Sequence, residues 1–489
     1  MSTPLLCETV TGRTMAELRA ARDAVRDADM VEVRLDGVAD ADAAGAIEGR
    51  RVPVVVTCRA AWEGGSFDGP EETRLRLLTD ALRAGAEYVD VEWKADHAAV
   101  IGATGGARVI VSNHDFDGVP ADLAARVRAM RATGAEVVKV AAMTRSLSDC
   151  LPLLDLPKDG RMVTIGMGPS GVATRLLAAR FGSCWSYAGH GAAPGQLPAT
   201  VMAGTYRFRS LGAATALYGL VGNPVMHSLS PAMHNAAFGA GGLDAVYLPL
   251  QATDFEDFER FARRLDVRGA SVTIPFKVDA LKGARHVDPV ARRVGAVNTI
   301  RRVAEGWDAI NTDVEGFLAP LERLEQQGAL TMAGLRVAVV GAGGSARAVV
   351  FGLSSRGAVV TVHARNAARA AAVAADLGGL GGAWPVPPGS WDLLVNCTPL
   401  GSLAQADGSP LPGGPFGGRV AYDLVYAPAR TRLLHEAAAA GLTTVGGLDM
   451  LVAQAEGQSA WWTGQRPAPG LMAAAARAAQ GNEANRHGA

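Results

Sequence analysis

The chain has 489 residues, more than a single hydrophobic core ordinarily serves, so two or three domains are expected. Its 47 Lys+Arg against 48 Asp+Glu exclude a global field for nucleic acid and leave local basic residues to meet small anions. Hydrophobic residues make up 49%, yet Arg, Asp and Gly interrupt each apolar stretch before it reaches the ~20 residues of a membrane span, so no membrane partner is expected.

The first segment, Met1-Ser2-Thr3-Pro4-Leu5, lacks the basic start and long apolar core of a secretory leader, and a cytoplasmic location is the expectation. Apolar runs then recur at 5–10, 30–35, 53–57, 88–93, 108–111, 137–142, 162–166 and 184–187. Helical patterns lie between most of them, at 15–26, 71–84, 123–132 and 171–181. Eight strands alternating with helices predict a closed (β/α)8 barrel, with an open doubly wound sheet as the competing fold.

A barrel gathers its chemistry at the carboxyl ends of the strands. Glu32 and Arg34 share one side of their strand, while Arg59, Glu92, His114 and Lys139 lie at or near the ends of theirs, and Arg175 follows the seventh run. Lys139 has apolar neighbours on both sides, which marks a central strand. It is either half of a buried ion pair or an amine that attacks a carbonyl to form a Schiff base. His114 is either a catalytic base or a residue that orients its loop. Together they suggest carbonyl capture followed by removal of an adjacent proton, with the substrate undefined.

These segments resemble type I 3-dehydroquinate dehydratase over nearly the whole block. The matching pieces are Glu32-Val33-Arg34-Leu35-Asp36, Thr57-Cys58-Arg59, Glu63-Gly64-Gly65, Ser112-Asn113-His114-Asp115-Phe116, Lys139-Val140-Ala141, Met167-Gly168, Thr174-Arg175 and Ala193-Pro194-Gly195-Gln196. The resemblance implies that Lys139 forms the imine with the C3 ketone of 3-dehydroquinate and that His114 transfers the proton. It assigns Glu92 to orienting His114 and Arg175 to the substrate carboxylate. Arg59, Glu32, Arg34 and Gln196 then contact hydroxyls or fix the site. Ala193 stands where many relatives have Ser, which removes one hydroxyl contact from the closing loop.

No long Pro/Gly/Ser tether separates residues 205–212 from the next strand at 217–222, so a second unit follows closely. In His227-Ser228-Leu229-Ser230-Pro231, the proline marks a helix start at which hydroxyls and amides can bind a carboxylate, although Ser228 and Ser230 can equally fix a loop. Lys277 follows Val272-Thr273-Ile274-Pro275-Phe276, and Asn298 and Asp313 end separate turns. Further on, an apolar strand runs into Gly341-Ala342-Gly343-Gly344-Ser345-Ala346 and a helix, the arrangement that brings a pyrophosphate onto backbone amides. The next strand, 359–362, ends near Arg365 and Arg369 where an NAD site usually has an acid. That pair suits a 2'-phosphate, hence NADP, the alternative being two exposed helix arginines.

The second block resembles shikimate dehydrogenase from about residue 217 onward. Its motifs include Val221-Gly222-Asn223-Pro224, Pro275-Phe276-Lys277, Gly295-Ala296-Val297-Asn298-Thr299, Asn311-Thr312-Asp313, Asn396-Cys397-Thr398-Pro399-Leu400-Gly401, Asp423-Leu424-Val425-Tyr426 and Gln454-Ala455. The resemblance implies that Ser228 and Ser230 bind the carboxylate and that Lys277 and Asp313 flank the reacting oxygen. Asn298, Tyr426 and Gln454 position the ring, and a quinate-oxidising relative is less favoured. Ser271 stands where the family commonly has Asn, which changes reach toward one substrate hydroxyl.

The fold class expected is therefore α/β, an N-terminal TIM barrel followed by a two-domain shikimate dehydrogenase-like unit with a Rossmann-type NADP-binding domain. The expected divisions are 1–211 for the barrel, 217–330 for the substrate domain, 331–427 for the nucleotide domain and 428–480 for helices returning to the substrate side. The five cysteines form no CxxC pair, so no metal is expected. The partners expected are small-molecule carboxylates, and a homo-oligomer is compatible with the sequence.

Overall fold

Alternation of apolar residues over short runs produces eight strands: β1 (Leu5–Val10), β2 (Met30–Arg34), β3 (Val54–Thr57), β4 (Tyr88–Glu92), β5 (Val109–Asp115), β6 (Val137–Met143), β7 (Met162–Met167) and β8 (Trp185–Gly189). In the computed structural model, which describes residues 3–189, 191 and 193–487, they form one parallel sheet in the order β7-β6-β5-β4-β3-β2-β1-β8. The ring closes where the Cys184 N–H donates to the Met162 carbonyl at 2.8 Å and Met162 bridges to Ser183. A closed parallel ring has no free edge, and the doubly wound alternative is excluded for this block.

Helices follow each of the first seven strands, among them Met15–Ala24, Glu71–Arg83 and Leu123–Arg131. The predicted helix at 171–181 is shorter, Val172–Leu176, because the turn breaks at Leu177 (φ −94°, ψ 34°). Inside the ring, Cys7, Met30, Val55, Ile110, Val137, Ala141, Val163, Ile165, Trp185 and Tyr187 make a buried apolar cluster. Val137 and Ala141 are in that cluster, so the period of two turns Lys139, between them, to the same inner side.

The chain divides into two compact units, Met1–Met226 with Asp244–Val267, and His227–Leu243 with Arg268–Ala489. The first therefore includes a parallel strand pair, Ala216–Gly222 and Ala245–Gln251, and the helix Phe255–Leu265. Polar contacts fasten these to the barrel. Buried Asp257 accepts from the Leu147 N–H at 2.9 Å, the Ser148 N–H at 2.8 Å and Ser148 Oγ at 2.6 Å. Ser170 Oγ donates to the Gln251 carbonyl at 2.9 Å, and Arg180 Nη2 to the Thr215 carbonyl at 2.8 Å.

The second unit contains a six-stranded parallel sheet. In chain order its strands are Arg336–Val340, Val359–His363, Leu380–Gly381, Leu393–Asn396, Val420–Asp423 and Thr443–Val445, and in space they run 3-2-1-4-5-6, the dinucleotide-binding order. One core joins this sheet to the helix Asp313–Gln326 through Val314, Phe317, Leu318 and Leu321, and Phe317 stacks on Tyr422 at 4.9 Å. The helix Gly447–Thr463 runs beside Asp313–Gln326, where a Cβ on Gly316 would stand 3.0 Å from the Gln454 backbone nitrogen. The start of the helix Ser230–Ala240 packs on Leu451, Ala455 and Met472. Among the described residues, no helix is long and apolar enough to cross a membrane.

Candidate active sites

At the carboxyl ends of the barrel strands lies a cavity of about 160 Å³, lined among others by Glu32, Arg34, Arg59, Glu63, His114, Lys139, Arg175, Tyr187 and Gln196. Lys139 arrives there on β6. Its Nζ donates to Asp90 Oδ2 at 2.9 Å, lies 3.4 Å from Glu32 Oε1, and sits 4.2 Å from the centre of the Tyr187 ring. The buried ion pair that the sequence allowed is thus present, inside the cavity where a carbonyl would have to come.

Arg59 ties the carboxylates together, with Nη2 on Asp90 at 2.8 Å and Nη1 on Glu92 at 2.9 Å. Burial opposes ionisation of Asp90, but the charges of Arg59 and Lys139 outweigh it and hold the carboxyl far below its usual range. Glu32 accepts from Thr9 Oγ1 at 3.0 Å and Thr57 Oγ1 at 2.9 Å. Arg34 lines the cavity while spending its guanidinium on Asp36, through two bonds of 2.8 Å. Gln196 Oε1 accepts the Ala193 N–H at 3.1 Å, which holds the closing turn.

His114 is half-buried and leans on Glu63. Glu63 Oε1 accepts both the His114 backbone N–H at 2.8 Å and its ring Nδ1 at 3.0 Å. Burial, with Arg59 and Lys139 nearby, pushes the imidazole well below its ordinary pKa and keeps it neutral. Burial also raises the Glu63 carboxyl to about 7 against the pull of Arg59. With the Nδ1 proton on Glu63, Nε2 carries the lone pair of a base.

Arg175 differs from the other arginines of this site. It is 2% exposed, no carboxylate among the described residues pairs with it, and burial alone lowers its guanidinium to about 10. Among the described residues, Nη1 and Nη2 reach only the Tyr187 and Pro194 carbonyls, at 3.4 and 3.2 Å, and Nε has no hydrogen-bond partner. A buried guanidinium in that state has donors available for an anion.

In the second unit, Lys277 Nζ donates to Asp313 Oδ2 at 2.5 Å, and Asn298 Nδ2 donates to Asp313 Oδ1 at 2.8 Å and to Gln454 Oε1 at 3.2 Å. A Cβ on Gly344 would lie 3.7 Å from Lys277 Cδ, so this cluster abuts the glycine turn. Gly341 has φ 115° and its missing Cβ would stand 3.2 Å from the Cys397 backbone, which explains glycine at that turn. The helix Gly344–Ser355 opens with no side-chain cap, leaving its first amides to a ligand. Arg365 and Arg369 are exposed beyond the second strand, without an ion pair among the described residues, and Asn366 caps the helix that follows. Ser230 starts its helix with Pro231 next, as the motif predicted, and the Ser230 N–H donates to Ser228 Oγ at 3.2 Å. Tyr426 is half-buried, and its carbonyl accepts from Gln480 Nε2 at 2.7 Å.

Residues 6–213 match the family model of type I 3-dehydroquinase, and residues 220–300 that of the shikimate dehydrogenase substrate binding domain. Over 474 residues the chain is 34% identical to the chloroplastic bifunctional 3-dehydroquinate dehydratase/shikimate dehydrogenase of Arabidopsis thaliana, covering 90% of this chain and 78% of the relative. The chain belongs to this bifunctional family. The shikimate dehydrogenase (NADP(+)) of Salinibacter ruber is 42% identical over 270 residues, 52% of this chain and 94% of that protein. Among solved structures, the shikimate dehydrogenase of Aquifex aeolicus is 30% identical with a TM-score of 0.50, covering 55% of this chain and 99% of that one.

Within the dehydratase-like barrel, one expected pairing is corrected. Glu92 does not orient His114: its two oxygens are taken by Arg59 and Arg74, both fully sheathed, and Arg74 arrives from the helix Glu71–Arg83. Glu63 does so instead, from the short turn Ala61–Glu63. That turn is kept tight by Gly65, where a Cβ would fall 2.0 Å from the Arg59 carbonyl oxygen. Asp90, the partner of Lys139, was also missed. Its position two residues before Glu92 on β4 puts both on one face, a signal the sequence contains.

Proposed function

We propose that the chain dehydrates 3-dehydroquinate to 3-dehydroshikimate at the barrel mouth and reduces 3-dehydroshikimate to shikimate with NADPH in the second unit. The observation that carries the reading is the convergence of Lys139, the His114–Glu63 pair and the anion-seeking Arg175 on one cavity. Arg175 receives the ring carboxylate and orients the C3 ketone toward Lys139. The amine adds to the ketone and loses water to give an imine. Its positive charge makes the C2 hydrogen acidic. His114 takes that proton, stabilised as imidazolium by Glu63, and passes it to the C1 hydroxyl, which leaves as water. Hydrolysis of the imine frees the enone and the lysine.

In the second unit, Ser228 and Ser230 receive the carboxylate, and Lys277 with Asp313 holds the proton destined for the ketone oxygen. Asn298, Gln454 and Tyr426 align the ring. The residues present fit NADP: the backbone of Gly341, Ala342, Gly343, Gly344, Ser345 and Ala346 would hold the pyrophosphate, and Arg365 and Arg369 the 2'-phosphate. When bound, the reduced nicotinamide supplies the hydride. The dehydratase is assigned to 1–211, substrate binding to 217–330 and 428–480, and the nucleotide to 331–427, with the cytoplasm as the place of action.

The test is a coupled assay from 3-dehydroquinate and NADPH on the full chain. Lys139→Ala should lose dehydration and still reduce supplied 3-dehydroshikimate, whereas Lys277→Ala should accumulate that intermediate. Loss of both activities in each folded variant would refute two independent sites.

A further inference from the structure

The hydrogen bonds behind Lys277 run on as one unbroken chain. Ser271 Oγ donates to Gln458 Oε1 at 2.7 Å, Gln458 Nε2 donates to Thr299 Oγ1 at 3.0 Å, and Thr299 Oγ1 donates to Asn298 Oδ1 at 2.8 Å. Asn298 Nδ2 then donates to Asp313 Oδ1 at 2.8 Å, and Asp313 Oδ2 receives Lys277 at 2.5 Å. Each link fixes the direction of the next, because an amide has unlike ends and a hydroxyl has one proton. Asn298 can offer its NH2 to Asp313 only while donors face its oxygen, and Thr299, the Thr312 N–H at 2.8 Å and Thr312 Oγ1 at 3.2 Å face it. Thr299 in turn is directed by the amide of Gln458. None of Ser271, Gln458, Thr299, Asn298 and Asp313 is more than 5% exposed, so bulk water is poorly placed to replace a broken link.

Gln458 lies one turn beyond Gln454 on the helix Gly447–Thr463, hence on the same face. Its long amide meets the short side chain of Ser271. It also contacts His234, buried in the same layer. We propose that Gln458 is a positioning residue for the reduction, which through Thr299 fixes the Asn298 amide and so holds Asp313 against Lys277. This rests on the reading of Lys277 and Asp313 as the pair that serves the ketone oxygen.

Gln458→Leu and Thr299→Val each cut the chain with little change of volume. Steady-state reduction of 3-dehydroshikimate by the full chain should show kcat lowered about three- to tenfold in each, the effect of one or two buried hydrogen bonds. The KM for NADPH, which reports a folded unit, should stay within about twofold of wild type. The double variant should be no slower than the slower single one, because both break one chain. Additive losses, a change confined to KM, or wild-type kcat in Gln458→Leu would overturn the proposal. Lys277→Ala is measured beside them. If it retains reduction, the underlying reading fails. If it loses reduction while Gln458→Leu does not, the relay alone fails.

Discussion

Replacing Glu63 by Gln changes one charge and almost no volume, and its consequences can be worked from the geometry. Glu63 Oε1 accepts two bonds from His114, at 2.8 and 3.0 Å, while Oε2 has no hydrogen-bond partner among the described residues, so an amide can be seated there without displacing another described contact. What is lost is the anion that meets the imidazolium formed on proton abstraction. A hydrogen bond to a charged group is worth about 1.5–3 kcal/mol, so kcat for dehydration should fall by about 10- to 150-fold. The pH dependence should change with it. The carboxyl titrates at about 7, so the wild-type rate should fall as pH drops through that value, and the variant should lack this limb. Stability gives an independent check of sign. Burial raises the folded-state value of Glu63, so its contribution is fully present below its ordinary pKa of 4.5 and is lost as pH rises through about 7. That is a decline of about 3 kcal/mol at most, which Glu63→Gln should abolish. Initial rates of enone formation and urea unfolding at pH 5 and 8 measure both. Wild-type kcat with the limb intact would refute the pairing.

Arg175→Met should raise the KM for 3-dehydroquinate by about 10- to 100-fold, since a charge-assisted pair with the ring carboxylate is lost, and substrate titration with both proteins tests this. A KM unchanged within error would mean that the carboxylate binds elsewhere. Arg365→Glu combined with Arg369→Glu should weaken NADPH at least tenfold and leave NADH within about threefold, measured as the ratio of the two kcat/KM values. Equal losses for both cofactors would remove the arginines from the 2'-phosphate site.

The eight strands were legible because each barrel strand carries buried apolar residues at intervals of two. Where the signal failed, chemistry had displaced it. β5 extends to Asp115 because Ser112, Asn113 and His114 continue the ladder opposite Lys139, Val140 and Ala141, although their polarity makes the apolar run look finished near Val111. Glu63 falls in a matching segment but received no role for a different reason: it sits on a three-residue turn, outside every strand end that a barrel reading inspects. Glu92 occupied such an end and attracted the assignment, but nothing local reveals that Arg74 comes from the following helix to capture it. In the second unit, Lys277, Asn298 and Asp313 were found from their motifs and meet in space. Gln458 was not, although its spacing from Gln454 was available.

Asp257 belongs to the stretch of sequence that follows the barrel, yet it organises the backbone at 147–148, in the loop that leaves β6 and its lysine. An excised barrel ending at 211 would keep each of its reacting groups and lose the carboxylate that holds the loop after β6. The Leu147 and Ser148 amides would then lose these acceptors, and the loop after β6 would lose its anchor. In this chain, fusion is therefore part of the masonry of the first enzyme and does more than put two catalysts under one promoter.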